Sequence, residues 1–537
     1  MNLLTDTWLP ARRAGGGTLR IRPTDLTSNL DGDPIVSIDW PRPDFRLASL
    51  EFVIGLLATA HPPADEEAWA DGWHTPPSPE ALAFAFAPFA HAFELDGPGP
   101  RFMQDLEDLP GDPDIPETLL IEAPGQATRR KNTALLVKPD RVLRLSRPAA
   151  AMALYTLQTF APAGGRGILT SLRGGGPLTT LALPGEHAAL WYTVWANVPA
   201  GRPAGAADLP RVFPWLAPTR TADHFPAATP ADTHPLQAFW GMPRRIRLDF
   251  APNPSGRPCD LTGEADATLV TGWRQRPNGT KYANWIHPLS PYYRDAKNNI
   301  WLPVHPQPDG IGYRHWVALA LGVPGARQPA RCVSDWPARS RDVPEPARHG
   351  TRLLAAGYDM DNMKARGFVE SEMPLPGTDP ARAEALATLA RGLVGAATEA
   401  ASALRVAVRG ARYGDNAGAD SAPLASLSQS FWAATQRRFF AALDHIGDDD
   451  GETLLEAAAQ GWRDRLRATA LDLFDEAAPL DPSAASSNPK KIVDARRNLF
   501  GTFEGRGPFG TRLFEALLLP LPERAKKPKG RSQKEPA

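Results

Sequence analysis

Apolar positions recur at helical spacing early in the chain and again through its last third. In Leu47–Ala60, residues Leu47, Leu50, Val53, Ile54 and Leu57 return every three or four positions, which predicts one apolar face of a helix. Ala149–Phe160 reads as a second helix, halted by Pro162 and the glycines after it. Short runs of strand length lie between such stretches: Thr18–Ile21, Ala134–Val137, Leu178–Leu183 and Arg245–Leu248. Up to about residue 375 the chain is rich in Pro and Trp, and this part predicts a large mixed α/β domain with long loops.

After Pro374-Leu375-Pro376-Gly377 the pattern changes to Ala, Leu and charge. Asp379 is placed to cap a helix with Pro380 in its first turn, and Leu386, Leu389, Leu393, Ala397, Leu404 and Val408 form its stripe. Further amphipathic helices are predicted from Pro423 to Ile446, from Glu452 to Glu476, and from Pro489 past Phe503. Four such helices imply an antiparallel bundle. The expected fold class is therefore α+β: a loop-rich mixed α/β domain over 1–376, an all-α four-helix bundle over 377–520, and a basic, disordered tail over 521–537.

Composition narrows the class. Among 537 residues, 42% are apolar and 22% charged, so general disorder is excluded. Pro and Gly, 57 and 45 in number, fit long loops and short elements. Two cysteines, Cys259 and Cys332, cannot form a disulfide framework. The first ten residues lack a signal-peptide layout, and the longest apolar run, Phe52–Ala60, falls far short of the ~20 residues that span a bilayer. A cytoplasmic protein without a membrane partner is expected.

The net charge of −1 conceals an uneven distribution. Residues 1–128 carry 7 basic and 21 acidic side chains, a net of −14. Residues 129–173 carry nine basic residues (Arg129, Arg130, Lys131, Lys138, Arg141, Arg144, Arg147, Arg166, Arg173) against Asp140, a net of +8. Six more basic residues lie between Arg524 and Lys534 with no acid among them. Such asymmetry can create a basic surface despite a neutral total.

Common catalytic signatures are missing. Gly174-Gly175-Gly176-Pro177 has no lysine after it and reads as a turn, and no Gly-x-Ser-x-Gly elbow occurs. The histidines are scattered, with no His-x-x-x-His spacing, and structural roles are expected for His287 and His305. The most distinctive segment is Ala161–Thr180. Gly164, Gly165 and Gly167 have no side chains to hold a backbone away from a ligand, and Arg166 stands among them. That arrangement suits close approach to a nucleic-acid groove, where narrowing concentrates negative potential. An ordinary flexible loop is the plainer reading.

The segment, together with Met1-Asn-Leu-Leu-Thr-Asp-Thr-Trp-Leu-Pro10, Arg101-Phe-Met-Gln104, Gly357-Tyr358, Asp359-Met-Asp-Asn362 and Asn488-Pro-Lys-Lys-Ile-Val493, falls in a recognisable order. With these motifs the chain resembles the large subunit of the type I-E CRISPR surveillance complex, Cascade (the CasA family), over nearly its whole length. The resemblance implies a non-catalytic subunit that recognises a protospacer-adjacent motif in double-stranded target DNA from the minor groove and starts strand separation for an R-loop. Guide RNA then reads the remaining sequence, a division of labour known in other effectors. The implied partners are guide CRISPR RNA, target DNA, the backbone, small and 5′-handle-binding subunits of Cascade, and the helicase–nuclease it helps recruit.

The resemblance also assigns residues. It places the motif-reading glycine loop on Gly164, Gly165, Arg166 and Gly167, with Arg166 where a glycine is usual. It places the strand-separating hairpin on Asp361 and Asn362; Asn362 keeps an amide, while Asp361 would repel a phosphate. The basic finger falls within Arg274–Lys281, with Arg276 preferred and Arg274 and Lys281 as alternatives. Arg294 and Lys297 match a patch for the displaced strand, beside Tyr292 and Tyr293, which could stack on unpaired bases. Lys138 and Arg141 match a loop facing guide RNA and neighbouring subunits, as phosphate partners or as packing residues. Some relatives carry two cysteine pairs suited to zinc; here Ser146 and Ala149 stand in one place and only Cys259 in the other, so no metal and no cofactor is expected. Two rival readings stand beside this one: a metal-independent enzyme within the α/β half, and a purely architectural ribonucleoprotein scaffold.

Overall fold

The computed structural model describes residues 1–133, 138, 140–185, 189–308, 310–361, 364–376, 380–413, 422–444, 452–480 and 488–522. The chain forms two compact units, Met1–Ile311 with Ala318–Pro380, and Gly312–Val317 with Ala381–Ala537. The strand expected over Ala134–Val137, the cap expected at Asp379 and most of the basic tail lie outside the described residues.

The first unit is organised around the helix Pro43–Ala60. Its sequence pattern marks one apolar face, yet the helix is buried on nearly every side, Ser49 and Glu51 included. Aromatic crowding explains the difference, because Phe52 meets Trp8, Phe93, Phe102, Tyr155 and Trp240 edge-on at centroid distances of 5.5–6.0 Å. Those rings come from five separate stretches of chain, so no local periodicity announces them. A second buried helix, Arg147–Phe160, starts where the Ser146 hydroxyl accepts the Ala149 N–H at 3.4 Å, with Pro148 in its first turn.

Four small sheets surround these helices. Strands β1 (Leu9–Arg13), β2 (Thr18–Ile21) and β3 (Ile35–Ile38) form one, with β1 central. The others are built from β4 (Leu145–Ser146), β5 (Thr179–Leu183), β6 (Arg245–Pro252), β7 (Thr268–Arg276), β8 (Tyr292–Asp295), β9 (Ile300–Pro303), β10 (Arg327–Gln328), β11 (Arg352–Asp361) and β12 (Lys364–Pro374). Their orders are β4-β7-β6, β10-β8-β9 and β12-β11-β5, all antiparallel. The registers pair Arg245 with Arg276, Arg294 with Trp301, and Asp361 with Lys364.

The second unit is helical: Pro380–Val408, Ala422–Asp444, Glu452–Ala477, Pro489–Thr502 and Gly507–Ala516. The fourth predicted helix is divided, because Gly505 and Gly507 both take left-handed φ near +71° and Pro508 opens a new helix. A one-turn helix from earlier in the sequence, Tyr313–Trp316, belongs to this unit as well. Tyr313 stacks on Phe439 at 4.5 Å and exchanges a 2.9 Å hydrogen bond with the Thr435 hydroxyl. Among the described residues no helix is long and apolar enough to cross a membrane.

One polar cluster lies inside the first unit. Glu51, Arg173 and His287 are 1%, 3% and 1% exposed. Arg173 Nη2 donates to Glu51 Oε1 at 2.6 Å, and its Nη1 donates to the Thr179 and Ser290 hydroxyls at 3.1 and 3.0 Å. His287 Nδ1 accepts the Leu289 N–H at 3.1 Å, which assigns the ring proton to Nε2, 3.3 Å from Glu51 Oε1 but poorly aligned with it. Burial alone would raise the Glu51 carboxyl, but Arg173 and His287 outweigh it and bring it down to about 2. Burial and the Arg173 charge, only partly offset by Glu51, push His287 down to about 4.

Both shifts destabilise the fold in acid. Below about pH 6.5 the unfolded chain protonates His287 while the folded one does not, so stability falls as pH drops from 6.5 toward 4. Below about 4.5 the stability from ionised Glu51 is lost in turn, progressively toward pH 2. His287 should cost on the order of 2 kcal/mol between pH 7 and pH 5. Melting temperature measured against pH should flatten over that window in His287→Gln; an unchanged slope would refute the assignment.

Candidate nucleic-acid interface

The segment Ala161–Thr180 leaves the helix Arg147–Phe160 and returns as β5. Backbone bonds close its base: Ser171 N–H donates to Ala161 O and Gly176 N–H to Phe160 O, each at 3.1 Å. Farther out, Gly164 N–H reaches Ile168 O at 3.2 Å and Ile168 N–H reaches Gly165 O at 3.0 Å. Beneath the loop, the buried Arg244 guanidinium donates to Pro162 O at 2.5 Å and to Leu169 O at 3.3 Å, gripping both ends of Ala163–Ile168. Gln158 holds Arg244 in place, accepting its N–H at 3.1 Å and donating to its carbonyl at 2.9 Å. Burial lowers the Arg244 pKa to about 10, and among the described residues no carboxylate pairs with it.

The three loop glycines answer to different constraints. Gly167 has φ +80°, and a Cβ there would stand 2.7 Å from Pro277 Cβ and from Asn278 Oδ1. A Cβ on Gly164 would strike the Ile168 side chain at 2.4 Å, whereas Gly165 faces open space. Two of the glycines thus serve the chain's own packing, and Gly165 leaves room for something else.

Gly167 O accepts the Asn278 N–H at 2.7 Å, which bonds the loop to the turn leaving β7. That turn follows Arg276, the last residue of β7, so the fold brings the loop of Arg166 beside the end of that strand; both arginines are exposed and neither is in an ion pair among the described residues. Arg274, two residues back, is committed elsewhere: it pairs with Asp249 at 2.5 Å and donates to Gly111 O at 2.9 Å. Lys281 is exposed.

The same segment supports the stems of two hairpins. Gly176, with φ +63°, lies against β11, where a Cβ would stand 2.6 Å from Tyr358 O. Strands β11 and β12 run on to their tip, where Asp361 lies 3.8 Å from Arg366. Asn362 lies outside the described residues. Leu178 N–H donates to Val304 O at 2.9 Å, just past β9. Arg294 and Lys297, on the β8–β9 hairpin, are exposed, and Arg294 Nε donates to Asn299 Oδ1 at 2.7 Å. The neighbouring tyrosines are not free to stack as expected. Tyr292 is buried, its hydroxyl accepting the His287 N–H at 2.8 Å, and Tyr293 carries the Arg327 guanidinium 5.2 Å above its ring.

Lys138 and Arg141 belong to a separate place. Buried Glu117 accepts the Asp140 and Arg141 N–H groups at 2.8 and 3.0 Å, and both basic side chains are exposed. The continuous basic stretch expected over 129–173 does not survive folding. Arg129 pairs with Asp114, Arg144 with Asp260, Arg147 with Asp266 and Asp96, and Arg173 with Glu51. Arg130, Lys131, Lys138, Arg141 and Arg166 stay exposed. Near the expected cysteine positions, Ser146 caps a helix and Cys259 is buried; among the described residues no three His, Cys, Asp or Glu side chains gather to hold a metal. Arg244, Gln158 and Asn278 escaped the sequence reading, because nothing local marks a residue whose partners are more than seventy positions away.

A family model for CRISPR-associated protein Cse1 matches residues 2–473. Among solved structures, Cse1 of Thermobifida fusca superposes with a TM-score of 0.71 at 17% identity, covering 96% of this chain and 98% of that one. Cse1 of Acidimicrobium ferrooxidans gives 0.65 at 20% identity, over 94% and 98%. A chain of a structure described as a CRISPR RNA-guided surveillance complex gives 0.67 at 15%, over 94% and 99%. With a family model spanning most of its length and a shared fold across that span, the chain belongs to the CRISPR-associated Cse1 (CasA) family.

Proposed function

We propose that this chain is the DNA-reading large subunit of a guide-RNA-directed surveillance complex. In this reading it recognises a short motif in duplex DNA from the minor groove, begins strand separation beside it and helps recruit a helicase–nuclease. The observation that carries the reading is the bonded pair of loops: Gly164–Gly167, with Arg166, joined through Asn278 to the turn after Arg276. Two unpaired arginines beside an open glycine match what a narrow, strongly negative groove attracts. The stems of the β8–β9 and β11–β12 hairpins abut the same segment, which suits Arg294 and Lys297 to a displaced strand, with Asp361 and Asn362 assigned to the duplex junction. Lys138 and Arg141 then face guide RNA or companion subunits.

Binding rather than bond-making fits the buried reactive groups. His287 is neutral and enclosed, and burial pushes the Cys332 thiol up to about 12. The chain's partners in this reading are guide RNA, target DNA and the backbone, small and 5′-handle-binding subunits.

Assembled complexes test the reading. Gly165→Asp puts a carboxylate into the open part of the loop and should weaken binding to motif-bearing duplex by roughly tenfold or more, in keeping with ~1–3 kcal/mol per disrupted base-pair contact. Asn362→Ala should slow strand opening. Unchanged binding and opening in both variants would favour the architectural scaffold instead.

Salt dependence separates the arginines. Arg166→Ala and Arg276→Ala should each reduce the slope of log affinity against log salt by about 0.9, one released counterion apiece. Arg274→Ala should barely change it, since Asp249 already neutralises that charge. Equal effects at all three positions would contradict the assignment.

A further inference from the structure

We infer that Arg173 is a positioning residue for the glycine loop: its buried ion pair with Glu51 holds the Ser171–Gly174 turn, and with it Gly164–Gly167, in the geometry that reads DNA. The inference rests on the reading above that this loop contacts duplex DNA. Arg173 lies within the most distinctive basic segment of the chain, yet its guanidinium points away from solvent into the unit's core.

The turn itself is local. Gly174 N–H donates to Ser171 O at 2.9 Å, and the Ser171 hydroxyl donates to Gly174 O at 2.6 Å. Ser171 N–H also closes the loop on Ala161 O. That last bond anchors the turn at one point, the end of the helix Arg147–Phe160. Arg173 anchors it at three more, because its planar fork meets Glu51 on the core helix, Thr179 at the start of β5 and Ser290 from a third segment. Thr179 adds a bond of its own to Glu51 Oε2 at 3.3 Å. One side chain thereby ties the loop's exit turn to the strand that follows it and to the helix beneath both. Stability alone does not require this arrangement, since a buried ion pair can often be replaced by apolar residues of similar volume at little cost. Orientation is what an apolar pair would not supply.

The full-length chain in its assembled guide-RNA complex provides the test, with duplexes randomised at the positions flanking the guide-matched sequence as the probe. Arg173→Met leaves Glu51 buried alone and should lower both the melting temperature and motif discrimination. The double variant Glu51→Met/Arg173→Met should recover the melting temperature while discrimination stays about tenfold down, the scale of one base-pair contact. Motif-independent affinity and its salt slope should match the parent, and amide exchange should quicken within residues 161–176. Recovery of both stability and discrimination would overturn the inference. If the double variant does not recover stability, Arg173→Lys decides: it keeps the charge beside Glu51 but not the fork, and parental discrimination with parental exchange at 161–176 would overturn it. Gly165→Asp serves as control. Should that variant discriminate normally, the DNA reading of the loop fails, and exchange at 161–176 alone then decides the positioning role.

Discussion

Arg173 is inside the protein because Glu51 is there to meet it, and that pairing sets where the loop before it emerges. A guanidinium and a carboxylate taken out of water lose several kcal/mol of hydration each, recovered only when geometry and additional hydrogen bonds are good. Here the extra bonds come from Thr179 and Ser290, so the cluster binds four stretches of chain into one arrangement. Removing one partner of such a pair typically costs ~3–5 kcal/mol, because the other charge is left buried and alone. The pair thus helps to hold the glycine loop, β5 and the core helix against one another.

A second arginine works differently. Arg244 has no carboxylate among the described residues and spends its donors on the carbonyls of Pro162 and Leu169. It closes the loop like a clasp and keeps its positive charge, directly under a surface that carries Arg166. Three arginines in and under one loop thus differ in place: Arg173 anchors, Arg244 clasps, and Arg166 stays exposed. Nothing in their residue type separates them; their depth and partners do.

The charge pattern has the same lesson. The acidic first 128 residues and the basic stretch after them suggest a basic surface, but folding sets Glu51, Asp96 and Asp114 against Arg173, Arg147 and Arg129. Much of the apparent basic patch is internal neutralisation. What remains exposed is a smaller set of cations, and one of these, Arg166, lies on a loop that the Gly167–Asn278 hydrogen bond joins to the turn following exposed Arg276 at the end of β7.

Local pattern was enough to identify the helices Pro43–Ala60 and Arg147–Phe160, the strands at Thr18, Thr179 and Arg245, and the helical character of the last third. Order of motifs was enough for the family, because such order is carried by the chain itself. Local pattern did not reveal that Pro43–Ala60 is buried on nearly every side, that Tyr313–Trp316 packs with helices more than a hundred residues later, or that Tyr292 faces inward. Each of these depends on partners distant in sequence. Periodicity records which face of an element is apolar, and residue type records which chemistry is available. Which charge is neutralised, which ring is covered and which glycine stays open are settled only when remote segments meet, since burial and pairing are properties of the contact and not of the residue.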